Sequence, residues 1–386
     1  MQINYHKISK LLAKILFIFV FGSIGALWAN YYLLPKLSTF PLFSRSDILK
    51  RFRENVTIVT KNEQLIVPEE GAITKIASQA SATTVNIISI PQAGTSKLQT
   101  TLTQSKVGSG VAVTGDGLIV TYRDAILEKN AHYKVLTNNG NSFDAELAAI
   151  DEFSNLAFLK IAGSNLSSIS LANSDDFSAG KRVIALGAGL SAYQNKYFSG
   201  LLSNFNKTFN ISGEALSNSG KLEGVFETDF LSQKELVGSP VINYNGELAG
   251  IIGSVKIDNQ EKIFVIPSNQ VRRSIEKSIQ GNSGKLANLG VYYISLNKIY
   301  ALSHNLTQES GALIFSPSGK QGLAVLANSP AEKAGLRIND IVTAVGDKTI
   351  DLEHPLSNLI NEYRTGDEVP LTIVRDGKEI KSTIKF

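Results

Sequence analysis

Four histidines, His6, His132, His304 and His354, supply every imidazole in this 386-residue chain, and it contains no cysteine. The histidines lie far apart and never fall at a spacing such as H-x-x-x-H, so no metal site is expected. Without cysteine there are no disulfides, thiolate ligands or cysteine nucleophiles, and the compartment stays open. Two glycine-rich stretches invite a cofactor reading. Gly187-Ala188-Gly189-Leu190-Ser191-Ala192 follows the apolar run RVIAL and fits G-x-G-x-x-A, a dinucleotide fingerprint that requires a helix next, with its N-terminus at the pyrophosphate. Tyr193 to Gly200 has no such amphipathic pattern, which favours a strand and turn. From Gly213 to Gly220-Lys221 the glycines are wrongly spaced for a phosphate loop, and Leu222 replaces the required Ser/Thr. That stretch reads as a surface loop, and no cofactor is expected.

The elements that must position any chemistry begin with a membrane segment. Ile15 to Leu34 is twenty residues without a charge, which at about 1.5 Å per residue spans roughly a 30 Å hydrocarbon core. Trp28, Tyr31 and Tyr32 fall at its far end, where an aromatic belt belongs. The run exceeds a signal-peptide core and lacks a small-x-small cleavage site after it, so it reads as an uncleaved anchor. Lys7, Lys10 and Lys14 precede it, but Lys36, Arg45, Lys50, Arg51 and Arg53 follow. Because long domains translocate largely regardless of charge, the expected arrangement is a cytoplasmic N-terminus with the bulk of the chain periplasmic or on the cell surface. A net charge of +4, with 43% apolar and 19% charged residues, describes globular protein with no basic stripe, and nucleic acid is not an expected partner.

Residues 1–14 are then a short tail, 15–34 the anchor and 35–70 a stalk or linker. Residues 71–272 read as all-β. Asp116-Gly117, Asn139-Gly140 and Asn245-Gly246 each separate Val/Ile/Leu-rich runs, the strongest local hairpin signal, and many short strands so spaced make a sandwich or a pair of barrels. A polar linker is expected over 273–285, followed by an α+β domain over 286–386. There, Ser329-Pro330-Ala331-Glu332 is a capping box with proline at the first helical position, and Gly335 is the stop. Leu356, Leu359, Ile360 and Tyr363 share one helical face, and Asp376-Gly377 joins the closing hairpin.

Three stretches, GSGVAVTGDGLIVT (108–121), DEFSNLAFLKI (151–161) and TDFLSQKELVGSPVINYNGELAGI (228–251), resemble the HtrA/Deg family of trypsin-like proteases in order and register. LGVYY (289–293) and SPAEKAGLRINDIVTAVG (329–346) resemble the PDZ domain that follows in that family. The resemblance covers roughly residues 70 to 386. It implies a mainly β chain: a trypsin-like double β-barrel with a Ser-His-Asp triad in the cleft, then one PDZ domain.

The departures fall on the chemistry. Asp124 stands at the family's histidine, Asn155 at its aspartate and Val237 at its serine, and Glu235 takes the place of an oxyanion-hole glycine. Valine has neither a proton to give nor a lone pair to attack with, and an ionised carboxylate is a poor base. A carboxylate near the hole would oppose a developing negative charge. Ser239 lies two residues further on, displaced by about 6–7 Å in an extended chain, and a Ser/Lys dyad with Lys234 or another lysine is the alternative hydrolytic centre. The expectation is accordingly a pseudoprotease that is no enzyme, a regulator, scaffold or chaperone-like partner in envelope quality control. The alternatives are a serine endopeptidase with a rebuilt site and a purely structural tether.

By resemblance the PDZ domain captures a peptide's terminal carboxylate on Leu289-Gly290-Val291-Tyr292 and lines its groove with Leu356, Leu359 and Ile360. Expected partners are peptide or protein C-termini, the bilayer through residues 15–34, and a homo-oligomer such as a trimer, or a hetero-oligomer with an active relative.

Overall fold

A computed structural model describes residues 5–33, 36, 69–92, 105–162, 166–187, 196–213, 216–229, 234–257, 259–280 and 287–386. Most of the expected stalk over 35–70 lies outside these residues, as do 188–195 of the dinucleotide-like stretch and 281–286 of the expected linker.

Helix α1 (Tyr5–Trp28) continues as one π-helical turn, Ala29–Leu33. Lys14–Leu33, twenty residues of mean hydropathy 1.6, is long and apolar enough to cross a membrane. Its apolar side chains, Ile18 and Phe19 among them, are exposed.

Helix α2 (Glu69–Ser81) leads into the β domain. It packs Ile73, Ile76 and Ala80 on the core, spacings of three and four that put one face inward. Strands β1 (Thr84–Pro91), β2 (Lys106–Ala112), β3 (Leu118–Tyr122), β4 (Ala131–Thr137), β5 (Ser142–Asp151) and β6 (Leu156–Ile161) close one barrel in the order β1-β2-β3-β6-β5-β4. A second barrel comes from β7 (Arg182–Gly187), β8 (Lys196–Asn210), β10 (Glu223–Thr228), β11 (Pro240–Ile242), β12 (Leu248–Ile257) and β13 (Gln260–Pro267).

The near-continuous apolar runs have a physical reason. Strand side chains alternate between faces, and here both faces are covered. Ala157, Leu159 and Ile161 fill the first barrel while Leu156 and Phe158 join the layer between the barrels. Val183 and Ala185 fill the second barrel, and Ile184 and Leu186 meet that same layer.

Helix α3 (Ser268–Ile279) runs through half of the stretch expected as linker. Its Ser274 hydroxyl donates to Asp151 Oδ2 at 2.5 Å, and Ser154 donates to the same oxygen at 2.6 Å, which ties α3 to the first barrel through a buried carboxylate.

The last domain contains α4 (Lys298–Ser303), α5 (Gln321–Ala324), α6 (Pro330–Lys333) and α7 (Leu356–Ile360). The capping box forms as its sequence dictates: Ser329 Oγ accepts from Glu332 N at 3.2 Å, the Glu332 carboxylate accepts from Asn328 N at 2.6 Å, and Gly335 takes φ +76°. The sheet runs β19 (Lys378–Lys385), β18 (Glu368–Arg375), β16 (Ile341–Val345), β15 (Ala312–Ile314), β14 (Tyr292–Ser295), with β17 (Lys348–Thr349) beside β16. Its sixth position is filled from elsewhere. Strand β9 (Ser217–Asn218), a piece of the barrel domain, pairs antiparallel with β14. The stretch read as a surface loop is therefore in part a buried strand: Ser217 and Ser219 are 8% and 1% exposed, and no apolar pattern in Ser217-Asn218-Ser219 announces it.

Candidate functional site

The fold gathers the three positions expected to carry a triad. Asp124 sits in the 3-10 turn Arg123–Ala125 after β3, Asn155 in the turn before β6, and Val237 between the turn Lys234–Leu236 and β11. The turn holding Ala125 touches the backbone beside Val237: a Cβ built on Gly238 would meet Ala125 Cβ at 2.9 Å and Thr121 Oγ1 at 2.4 Å.

Asn155, in the left-handed region at φ +53°, donates from Nδ2 to the Tyr122 hydroxyl at 3.3 Å and accepts from Lys221 Nζ at 3.1 Å. Its carbonyl accepts from Arg123 N at 2.8 Å. Tyr122 is fully buried and donates to the Ser254 carbonyl at 3.0 Å. Burial raises the Tyr122 phenol, and burial also lowers the Lys221 ammonium, with Glu152 pulling it back up. Partial desolvation lifts the Asp124 carboxyl, opposed by Lys106, Arg123 and Lys221. Arg123 itself is held by Glu128 and Glu152.

Val237 is 7% exposed and belongs to the apolar layer between the barrels. Glu235 pairs with Lys196 at 2.6 Å. Gly238 N donates to the Ile252 carbonyl at 2.8 Å and Ser239 N to the Leu236 carbonyl at 2.9 Å, so both amides are spent within the fold. Ser239 is wholly buried, and its hydroxyl has no hydrogen-bond partner among the described residues. The Lys234 side chain, the other half of the alternative dyad, lies outside the described residues. The described histidine side chains are elsewhere. His132 is exposed on β4, His304 stacks on Tyr300 at 4.0 Å between centroids, and His354 pairs with Asp351 at 3.0 Å.

In the last domain the predicted residues divide. Gly290 takes φ +78°, and a Cβ there would lie 2.4 Å from Ser329 Cβ, so the loop Leu289-Gly290-Val291-Tyr292 needs its glycine. Its amides, however, face the barrel domain: Gly290 N and Val291 N each donate to Ser219 Oγ at 3.1 Å. Leu356, Leu359 and Ile360, expected to line a groove, are at most 2% exposed and pack with Leu289, Val291 and Tyr293 in the domain core. The i, i+3, i+4 spacing that marks a helical face cannot tell a groove wall from a core. Leu356→Ala should therefore destabilise this domain by about 2–5 kcal/mol, read by urea denaturation. A cost below about 1 kcal/mol would return the residue to a groove wall.

Sequence reasoning missed Ser219, Glu223 and Asn358, which join the two domains. Asn358 Nδ2 donates to the Glu223 carbonyl at 3.0 Å and its Oδ1 accepts from Glu223 N at 3.3 Å.

Two packed six-stranded barrels followed by an α+β domain with a glycine carboxylate-type loop define a trypsin-like peptidase fold joined to a PDZ domain. The family comparisons agree, with a trypsin-like peptidase domain over residues 108–251 and a PDZ domain over 288–386. The chain matches the HtrA family. It is 26% identical over 284 residues to the periplasmic serine endoprotease DegP of Escherichia coli (strain K12), an overlap that takes in 72% of this chain and 56% of that one. It is 30% identical over 296 residues to the serine protease Do-like HtrA of Bacillus subtilis (strain 168), covering 74% and 64%. The chain thus spans a little over half the length of such curated relatives. Among solved structures, the HtrA-type protease AlgW with tripeptide superimposes with a TM-score of 0.64 at 20% identity, over 81% of this chain and 95% of that one.

These comparisons correct the expectation that the chain is no enzyme. Its relatives are named as serine endoproteases and its structural neighbours as HtrA-type proteases, so that expectation does not stand. The residue types read at the three triad positions argue about one route to hydrolysis, and by themselves do not argue about every route.

Proposed function

We propose that this protein is a membrane-anchored, extracytoplasmic member of the HtrA family that binds peptides or misfolded chains through its PDZ domain in envelope protein quality control. It is a degenerate member, in that the Ser-His-Asp route is lost. Any hydrolysis by this chain would have to pass through a centre other than Asp124, Asn155 and Val237. One observation carries the reading: the cleft positions hold a valine side chain in an apolar layer and an asparagine tied to Tyr122 and Lys221, whereas the glycine loop keeps two backbone N–H groups aimed at a single oxygen. A nucleophile needs a base within reach, but strand addition needs only backbone. The apolar helix and the periplasmic relatives support the location, and a trimer or a complex with an active relative is the assembly we propose.

The test uses detergent-solubilised full-length protein, titrated with fluorescent peptides ending in a free carboxylate and assayed on casein. Saturable peptide binding is expected, weakened at least tenfold by amidation of the peptide terminus. Any casein turnover should change less than twofold in Asp124→Ala and Val237→Ala. No binding at high micromolar peptide, or turnover abolished by either substitution, would overturn the proposal.

A further inference from the structure

The PDZ sheet edge that a peptide needs is already taken. Strand β9 pairs antiparallel with β14, Asn218 opposite Tyr292 and Ser217 opposite Tyr293, on the side away from β15. The chain runs toward the glycine loop and reaches it at Ser219. There Ser219 N donates to the Val291 carbonyl at 3.1 Å. The Ser219 hydroxyl accepts from Gly290 N and Val291 N, both at 3.1 Å, and donates to Asn288 Oδ1 at 3.2 Å. One side-chain oxygen thus sits where paired amides would hold a terminal carboxylate oxygen. Beyond it the chain turns at Gly220 and continues, so the segment behaves as an internal ligand with a hydroxyl in the carboxylate's place. The opposite wall closes over it: Asn358 of α7 makes both backbone hydrogen bonds to Glu223, and Tyr293 and Ser295 of β14 donate their hydroxyls to the Glu223 carboxylate.

We infer that residues 217–223 of the barrel domain are a tethered ligand of the PDZ groove, and that a peptide with a free C-terminus binds only by displacing them. The inference rests on the peptide-binding reading above and adds the competitor. The physical argument is one of geometry and concentration. Two strands cannot hydrogen-bond to the same edge of β14, and a segment of the same chain competes at an effective concentration on the order of millimolar. Apparent affinity for an external peptide falls by the fraction of molecules with the groove vacant. A peptide that succeeds brings a full carboxylate to Gly290 and Val291, a charge-assisted acceptor stronger than the neutral hydroxyl it replaces. It also frees the chain between β8 and β10 from the PDZ edge.

The absence of cysteine allows a reversible lock. Asn218 and Tyr292 form a pair flanked by, and not itself making, the Ser219–Val291 hydrogen bond, the kind of cross-strand pair whose Cβ atoms are closest. In the full-length double variant Asn218→Cys/Tyr292→Cys, the disulfide is expected to form on mild oxidation. Oxidised protein should bind a pool of free-carboxylate peptides at least tenfold more weakly than the same sample after reduction. Ser219→Ala, which removes the acceptor of Val291 N and leaves Gly290 N only its bond to Asn288 Oδ1 at 2.9 Å, should bind them about tenfold more tightly than wild type. A disulfide that fails to form, or equal binding by oxidised and reduced protein, overturns the tethered ligand and leaves the peptide-binding function standing. Absence of binding in every form overturns both together.

Discussion

Gly238→Ala is expected to cost the barrel domain about 4 kcal/mol or more, a large share of the roughly 5–15 kcal/mol of an ordinary domain. Two effects add. Gly238 holds φ +85°, a left-handed conformation that costs a side-chain-bearing residue roughly 1–2 kcal/mol. The larger effect is space. An added Cβ would lie 2.4 Å from Thr121 Oγ1, 2.5 Å from the Ser109 carbonyl and 2.9 Å from Ala125 Cβ. Thr121 cannot swing aside, because its hydroxyl donates to that same carbonyl at 2.6 Å, and a close-packed interior yields little. Gly140→Ala is the control. It has the same φ of +85° but nothing within 4 Å, so it should lose only the backbone share. Urea denaturation followed by far-ultraviolet circular dichroism measures both. Equal losses in the two variants would mean that the contact around Gly238 is slack.

Gly238 also shows which part of a catalytic motif is architectural. In the stretch that resembles the family's nucleophile turn, Val237 stands at the position read as the nucleophile's. Gly238 remains, since the backbone passes too close to β2 and β3 for anything larger. Val237 itself joins the layer between the barrels.

The fold was legible where one signal sufficed. Asp376-Gly377 with alternating residues on either side gives β18 and β19, in register from Arg375 opposite Lys378 outward, and Ser329 to Glu332 gives a capped helix. Strands β3, β6 and β7 read as apolar because both faces are buried. Legibility failed where the deciding partner is distant in sequence. Ser219 meets Gly290 across seventy-one residues and Glu223 meets Asn358 across one hundred and thirty-five, and neither segment carries a periodicity that points to the other. The helical face of Leu356, Leu359 and Ile360 was found, but its neighbours were not, and only those neighbours make it core.

The junction between barrel and PDZ domain should loosen as pH rises, through Glu223. This carboxyl is completely buried, and burial pushes its pKa from the usual 4.5 up to about 7, even though Ser295, Tyr293 and Ser217 donate hydrogen bonds that pull it back. No charged side chain faces it among the described residues, and of its partners only Tyr293 titrates, its phenol raised by burial and by Glu223 itself. Between pH 4.5 and about 7 the folded chain holds more protons here than the unfolded chain. The sign of the linkage is then fixed: stability is fully present below the lower value, falls through the window and levels off above it. At 1.36 kcal/mol per unit, the loss is roughly 3 kcal/mol. Glu223→Gln keeps the shape and an acceptor oxygen but cannot ionise. It should flatten that part of the pH dependence, leaving the variant slightly less stable than wild type at pH 5 and more stable by roughly 2–3 kcal/mol at pH 8. Urea titrations of both proteins at half-unit steps between these limits decide the matter, because parallel curves would mean that Glu223 holds the same charge folded and unfolded. Since this carboxyl joins the start of β10 to β14, the same titration should govern how readily the segment carrying Ser219 leaves the PDZ edge, with release favoured on the alkaline side.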